Sequence, residues 1–322
     1  MSTNKKILMT IFLCFVSSSL IFIIFMTNST NDICSIEKQF YSQNWKDMPT
    51  NKIIILGSSH TGALNNDYIN NNFKENQFNL TSFNLSFGAD TPINRKWSVN
   101  NIIDMDPSLI LYGLSWRDFE ITNPVHQQRN IHSKILFDPE SFFKNNFSLN
   151  FQNQICLSTL QSPLAVTLEF IRNMMFKNPE LGIKNQFMPF FIHTNEYTII
   201  HSDNELINHP ILLKKYRGFD TSSNSASAIK EMILKFQEND IDVIIFTTPL
   251  TKHALKNIPE NDQQEMKNFL KNLSENYDIK IFYLHDRYVD LNIWADPQHV
   301  AYNENSLIFS DDILTIILDA MN

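Results

Sequence analysis

Three short segments carry side chains that could do chemistry together. Gly57-Ser58-Ser59-His60-Thr61 follows an apolar run and places a hydroxyl at its end. A serine hydroxyl is a weak nucleophile and needs a base, most often His, held in one tautomer by a third group. Trp294-Ala295-Asp296-Pro297-Gln298-His299 supplies such a pair, with Pro297 stiffening the segment between acid and base. Asn84-Leu85-Ser86-Phe87-Gly88-Ala89-Asp90-Thr91 lies between them, and its Gly88 can offer a backbone N–H to a developing oxyanion. Ser59, His299 and Asp296 are therefore a candidate nucleophile, base and orienting acid for acyl transfer. Plainer roles exist for each segment. Gly-Ser-Ser also makes loops and helix caps, Asp90 can cap a helix starting near Pro92, and Asp-x-x-His can be a cap followed by a surface histidine.

These segments need a scaffold that brings them together. Residues 52–57 form a β-branched apolar run closed by Gly57, which reads as a buried parallel strand. Further strands are expected at residues 82–85, 108–113, 241–246 and 279–284. Helical patterns fall near 92–105, 225–237, 262–277 and 303–320. Alternation of strand and helix predicts βαβ units and a parallel sheet. Ligands of such sheets bind at the carboxyl ends of strands, where Gly57, Gly88 and Gly113 fall, and the helix expected after Gly57 would direct its N-terminus at Ser59. Residues 119–219 break the rhythm and read as an insertion, a lid or docking surface over the strand ends.

The first thirty residues predict export. Lys5 and Lys6 precede an uncharged apolar stretch at residues 7–26, about the 20 residues needed to span a bilayer. The positive charge before it places the N-terminus in the cytoplasm and the body outside. The expected layout is a tail at 1–6, a transmembrane anchor at 7–27 and a stalk at 28–50. A cleaved signal peptide is the rival reading, without an A-x-A-like site to support it. Of the three cysteines, Cys14 lies in the apolar stretch, while Cys34 and Cys156 either pair in an oxidising compartment or stay as thiols. The formal net charge of -8 over 322 residues excludes a basic nucleic-acid footprint.

The order of these segments, each at an expected strand-to-helix turn, resembles the SGNH/GDSL hydrolase superfamily. The resemblance covers residues 51–118 and 220–322. It implies a flavodoxin-like three-layer α/β/α sandwich, to which the residues add an N-terminal transmembrane helix and a mid-chain insertion. Gly57-Ser58-Ser59 is similar to the first block, and the family's nucleophile falls on Ser59. Asn84 to Thr91 is similar to the second block, giving Gly88 and Asn84 as oxyanion or substrate-binding candidates. Asp296 and His299 correspond to the last block. Ser58 stands where the family usually has Asp. In the third block Tyr112-Gly113-Leu114-Ser115-Trp116-Arg117-Asp118 replaces the usual Gly-x-Asn-Asp, so Ser115 takes the place of an amide donor with less reach. Arg117 either substitutes for that donor or pairs with Asp118. The anchor and first block also resemble DltD-like and AlgX/AlgJ-like surface O-acyl transfer factors. That likeness implies an acyl-ester substrate on a surface polysaccharide or polyol and a membrane-bound O-acyltransferase as partner. It implies no cofactor. The alternatives are a non-catalytic polysaccharide-binding or scaffold protein of the same fold, and a lipid esterase.

Other histidines have smaller expected roles. His60 is adjacent to Ser59, points away from it, and is expected to line the pocket or pack. His253 is expected to pack or to touch substrate. His285, Asp286 and Asp290 lack the spacing of a metal site.

Overall fold

A computed structural model describes residues 40–88, 90–120, 195–213 and 216–321. The expected anchor, most of the stalk, Cys14, Cys34, Cys156 and most of the insertion lie outside the described residues. The chain divides into two units, residues 1–42 with 143–184, and residues 43–142 with 185–322. Only residues 40–42 of the first are described, and the α/β body belongs wholly to the second. Among the described residues no helix is long and apolar enough to cross a membrane.

The body is built on a five-stranded sheet of β1 (Asn51–Gly57), β2 (Leu80–Asn84), β3 (Pro107–Leu114), β4 (Asp242–Thr247) and β5 (Lys280–Phe282). Every pairing is parallel and the order is β2-β1-β3-β4-β5. This is the flavodoxin-like order, and its direction of winding reverses between β1 and β3. Gly57 pairs with Gly113, and Gly113 with Phe246, so the carboxyl ends of β1, β3 and β4 lie level along one rim.

Both faces of the sheet are covered, as expected for a parallel sheet without alternating polarity. Ile53, Ile55, Leu109, Leu111, Ile244 and Phe246 share a core with Ile69 and Phe73 of α1 (Asn66–Glu75). Phe309, Ile313 and Ile317 of α8 (Leu307–Met321) complete that core. By the two-residue period of strands, Ile54, Leu56, Ile110, Tyr112 and Ile245 face the opposite layer, and all are buried. That layer holds α2 (Pro92–Arg95), α3 (Val99–Ile103), α5 (Asn224–Gln237) and α7 (Glu260–Tyr277). Ile53 to Leu56 are fully buried, each stabilising the fold by about 1.5–3 kcal/mol.

Three local readings are corrected. The segment after β1 does not enter a helix directly. It makes tight turns, with Thr61 N–H bonded to Ser58 O at 3.1 Å and Gly62 N–H to Ser59 O at 3.0 Å. The helix α1 starts only at Asn66, where the Asn65 side chain accepts Tyr68 N–H at 3.0 Å. Ser59 therefore lacks the helix terminus expected for it. The helix expected over 92–105 is broken into α2, a 3₁₀ turn at Lys96–Ser98, and α3. Finally, Asp296 and His299 stand on an antiparallel hairpin, β6 (Trp294–Asp296) and β7 (His299–Val300), rather than at a strand-to-helix turn.

Two short helices complete the rim. They are α4 (Asp203–Ile207) and α6 (Lys252–Lys256). Asp203 joins them by accepting from His253 Nε2 at 2.8 Å and from Lys252 Nζ at 3.1 Å. His253 thus packs against α4.

Candidate active site

The turn after β1 folds back over the sheet because two glycines leave room for it. Gly57 has φ +146°, and a Cβ there would lie 2.3 Å from Thr61 Oγ1 and 2.8 Å from Gly113 O. A Cβ on Gly113 would lie 2.2 Å from Thr61 Cγ2. Thr61 is thus wedged over the paired glycines, with its hydroxyl donating to Ser58 O at 2.7 Å. The wedge fixes Ser58, Ser59 and His60 at the rim where winding reverses, the place such sheets use for ligands. The N–H groups of Ser59 and His60 have no acceptor among the described residues.

The hairpin arrives at the same rim from the far end of the chain. Thr251, which caps α6 by accepting Ala254 N–H at 3.1 Å, donates its hydroxyl to Pro297 O at 2.8 Å. One Asp296 oxygen holds the turn, accepting the N–H groups of Gln298 at 2.7 Å and His299 at 3.0 Å. Its other oxygen meets His299 Nδ1 at 2.7 Å. His299 Nε2 then lies 2.8 Å from Ser59 Oγ. The three residues that the sequence singled out as nucleophile, base and acid form one hydrogen-bonded line.

Charge settles the direction of that line. Burial would raise the Asp296 carboxyl. The neighbouring His299 charge, the hydrogen bond from its ring and the Gln298 N–H outweigh burial and hold it at about 2. Asp296 is therefore ionised at neutral pH and can only accept, so His299 Nδ1 donates to it. In the neutral form of the ring with Nδ1 donating, Nε2 is the acceptor and Ser59 O–H the donor. This is the polarity a serine nucleophile requires.

His60 lies beneath this line without joining it. Its ring stacks on His299 with centroids 4.6 Å apart and planes 15° from parallel. Its Nδ1 is 2.8 Å from Ser58 Oγ, and the residue is only 4% exposed. Burial first, then the His299 and Arg117 charges, hold its pKa well below the ordinary histidine value, against a weaker pull from Asp296. Tyr197 meets His299 edge-on, with centroids 5.2 Å apart. Its carbonyl accepts Tyr302 N–H at 2.7 Å, which ties this wall to the segment after the hairpin. The Tyr197 contact left no signal in a sequence stretch without strand or helix rhythm. The Ser58–His60 pair was visible as residue types, but its contact with His299 was not.

The remaining candidates sit around the line in different roles. Asn84 is fully buried and its amide is engaged at both ends, donating to Thr61 O at 3.1 Å and accepting Ser86 N–H at 3.0 Å. It braces the turns after β1 and β2. Gly88 faces open space, since a Cβ there would meet nothing within 4 Å. Its loop is held to β1 by Phe87 N–H on Gly57 O at 3.1 Å. Ser115 is buried and its N–H donates to Asp118 at 2.7 Å, closing the 3₁₀ turn Trp116–Phe119. Asp118 makes no ion pair with Arg117 among the described residues. Burial pushes its carboxyl up to about 8, with Asp90 adding to the rise and the Ser115 N–H opposing it. Asp90 does not cap α2 either. It forms a buried ion pair with Arg95, which also donates to Leu85 O at 2.9 Å, so the pair stiffens the loop carrying Gly88. His285 is buried against Thr247, 3.3 Å from its hydroxyl. Among the described residues no group of three or more His, Cys, Asp or Glu side chains converges as metal ligands would.

No family model matches the chain. No curated protein matches it either. Solved structures match the chain at a distance. Over 89% of its length the chain is similar to 98% of a candidate acylhydrolase from Bacteroides fragilis NCTC 9343, at 13% identity and a TM-score of 0.43. A likeness that distant carries no functional assignment.

Proposed function

We propose that this protein is an SGNH-type serine esterase or O-acyltransferase, with Ser59 as nucleophile, His299 as base and Asp296 as its orienting acid. The supporting observation is the unbroken line from Ser59 Oγ through His299 to Asp296, at 2.8 and 2.7 Å. Ser59 Oγ attacks an acyl carbonyl while His299 Nε2 takes its proton. The imidazolium is held by Asp296, and the oxyanion by the N–H groups of Ser59 and Gly88. Collapse of the tetrahedral intermediate expels the alcohol, which leaves with the proton from His299. Water or a sugar hydroxyl then accepts the acyl group by the reverse sequence.

The substrate class in this reading is an acyl ester, acetyl above all, of a surface polysaccharide or similar polyol. The lysines and apolar stretch at the N-terminus support anchoring with the body outside the cytoplasm, beside a membrane-bound O-acyltransferase as partner. A fluorophosphonate probe tests the core claim. The wild type should be labelled on Ser59 and should hydrolyse small acetyl esters, and S59A should do neither while remaining folded. Equal ester turnover by S59A would sink the assignment.

One observation favours a second reading. The Ser115 N–H is engaged by Asp118, so the third block brings no backbone donor at that residue and no amide side chain to an oxyanion. Loss of one donor costs about 10²–10³ in turnover. A domain so weakened would serve as a polysaccharide-binding or scaffold protein. Retention of polysaccharide by both wild type and S59A, with no labelling of either, would support that role.

A further inference from the structure

The geometry points to the Ser58–His60 pair as a platform that sets the plane of the His299 ring. This inference rests on reading Ser59, His299 and Asp296 as a catalytic triad. The hydrogen bonds of His299 to Ser59 and Asp296 leave from its two ring nitrogens, close to one axis through the ring. Two such bonds fix where the imidazole sits, but they resist rolling about that axis only weakly. Because those bonds leave the five-membered ring at an angle to that axis, rolling tips the Nε2 lone pair off the hydroxyl it must deprotonate, and a small misplacement of a reacting group can cost about 10²-fold in rate.

A flat surface against the face of the ring removes that freedom. His60 provides it, 15° from parallel at 4.6 Å. The platform is itself fixed. Its Nδ1 is held by Ser58 Oγ at 2.8 Å, and the ring is almost fully buried. Ser58, Ser59 and His60 are consecutive, so the turn that presents the nucleophile also aligns its base.

A platform beside a base must not take the proton meant for that base. The groups acting on this pair of rings are Asp296 on β6, Arg117 after β3, and each ring upon the other. Burial first, and then Arg117 and the imidazolium form of His299, disfavour a second proton on His60. When His299 becomes an imidazolium, the neutral face of His60 can stack on it without repulsion. An exposed, chargeable histidine would not suit this place. His60 is thus a positioning residue, acting through His299 rather than on substrate.

Two variants separate this role from simple packing. H60L keeps bulk but removes the flat face, whereas H60F keeps the face and removes the bond to Ser58. Fluorophosphonate labelling of Ser59 should slow about 10- to 100-fold in H60L, and H60F should recover most of the rate. With an acetyl ester, the loss should fall on kcat rather than KM. A second readout needs no activity. The His299 Nδ1 proton, shared with Asp296, should give a far-downfield NMR signal in the wild type and in H60F. In H60L it should broaden by faster exchange with water. An unchanged signal in H60L, or labelling at the wild-type rate, overturns the platform. An unlabelled wild type with the NMR contrast intact overturns the catalytic reading and leaves the platform standing.

Discussion

His299 Nε2 lies 2.8 Å from Ser59 Oγ, although 240 positions separate the two residues in the chain. Neither residue reaches the other through local structure. Ser59 depends on the end of β1, a central strand of the sheet, and on Thr61 wedged over Gly57 and Gly113. His299 depends on a hairpin fastened to the loop after β4 by Thr251. The meeting of the two reports on the whole sheet, and each support can be tested.

Asp296→Asn should keep the fold and lose about 10²–10⁴ in ester turnover, because an amide does not hold His299 in the required tautomer. It should also change the acid limb of stability. The Asp296 carboxyl is held at about 2 when folded, below its unfolded value, so its contribution is present above the ordinary carboxylate range. That contribution is lost as pH falls through about 2, and it amounts to about 2 kcal/mol. Urea melts of wild type and D296N near neutral pH should differ by that order and converge in acid. A constant gap at all pH values would refute the linkage.

Asp118 works in the opposite sense. Its folded pKa is raised to about 8. The folded chain keeps a proton that the unfolded chain releases. The stabilisation is complete below the ordinary carboxylate range and is lost as pH rises through about 8. Asp118→Asn, which can still accept the Ser115 N–H, should remove this dependence and be more stable at pH 8 by about 1–2 kcal/mol or more. Parallel stability curves for D118N and wild type between pH 5 and pH 8 would count against it.

The wedge over the glycines predicts an asymmetric pair of substitutions. Gly113→Ala should cost about 1–3 kcal/mol by overpacking. Its added carbon meets the Thr61 methyl at 2.2 Å, so T61S in the same chain should recover part of the loss. Gly57→Ala should not be recovered this way, since the φ of +146° and the Gly113 carbonyl at 2.8 Å remain. Thermal melts of the singles and doubles read the coupling.

Arg95→Met should be severe, at about 3–5 kcal/mol, because it strands the buried Asp90 carboxylate. Adding D90N should restore much of that stability. A double variant no better than R95M would show that the ion pair does not support the loop after β2.

Much of this arrangement was legible in the sequence. The strands were readable because a sheet buried on both faces writes itself as apolar runs, and all five fall within a few residues of their expected places. Ser59, Asp296 and His299 were readable as a candidate set because acyl chemistry would demand those residue types, and the fold brings them into one hydrogen-bonded line. What was hidden depends on contacts between distant segments. The helix α1 is rich in Asn, a weak helix former, so its start could not be distinguished from the turn before it. The strands of the hairpin are two and three residues long, too short to show alternation. Asp90 carries the composition of a cap, and only the folded chain reveals Arg95 beside it. The wall at Tyr197 belongs to a stretch whose composition gives no period at all.

The distance in sequence between hydroxyl and base also sets a schedule. Synthesis runs from the N-terminus, so Ser59 is made well before the hairpin. A growing chain can therefore present Ser59 long before the hairpin exists. During that interval the serine has no imidazole to activate it. Any esterase activity would switch on late, among the last steps of building the molecule, and a truncated product lacking the hairpin would stay inert rather than act unchecked on the wrong ester.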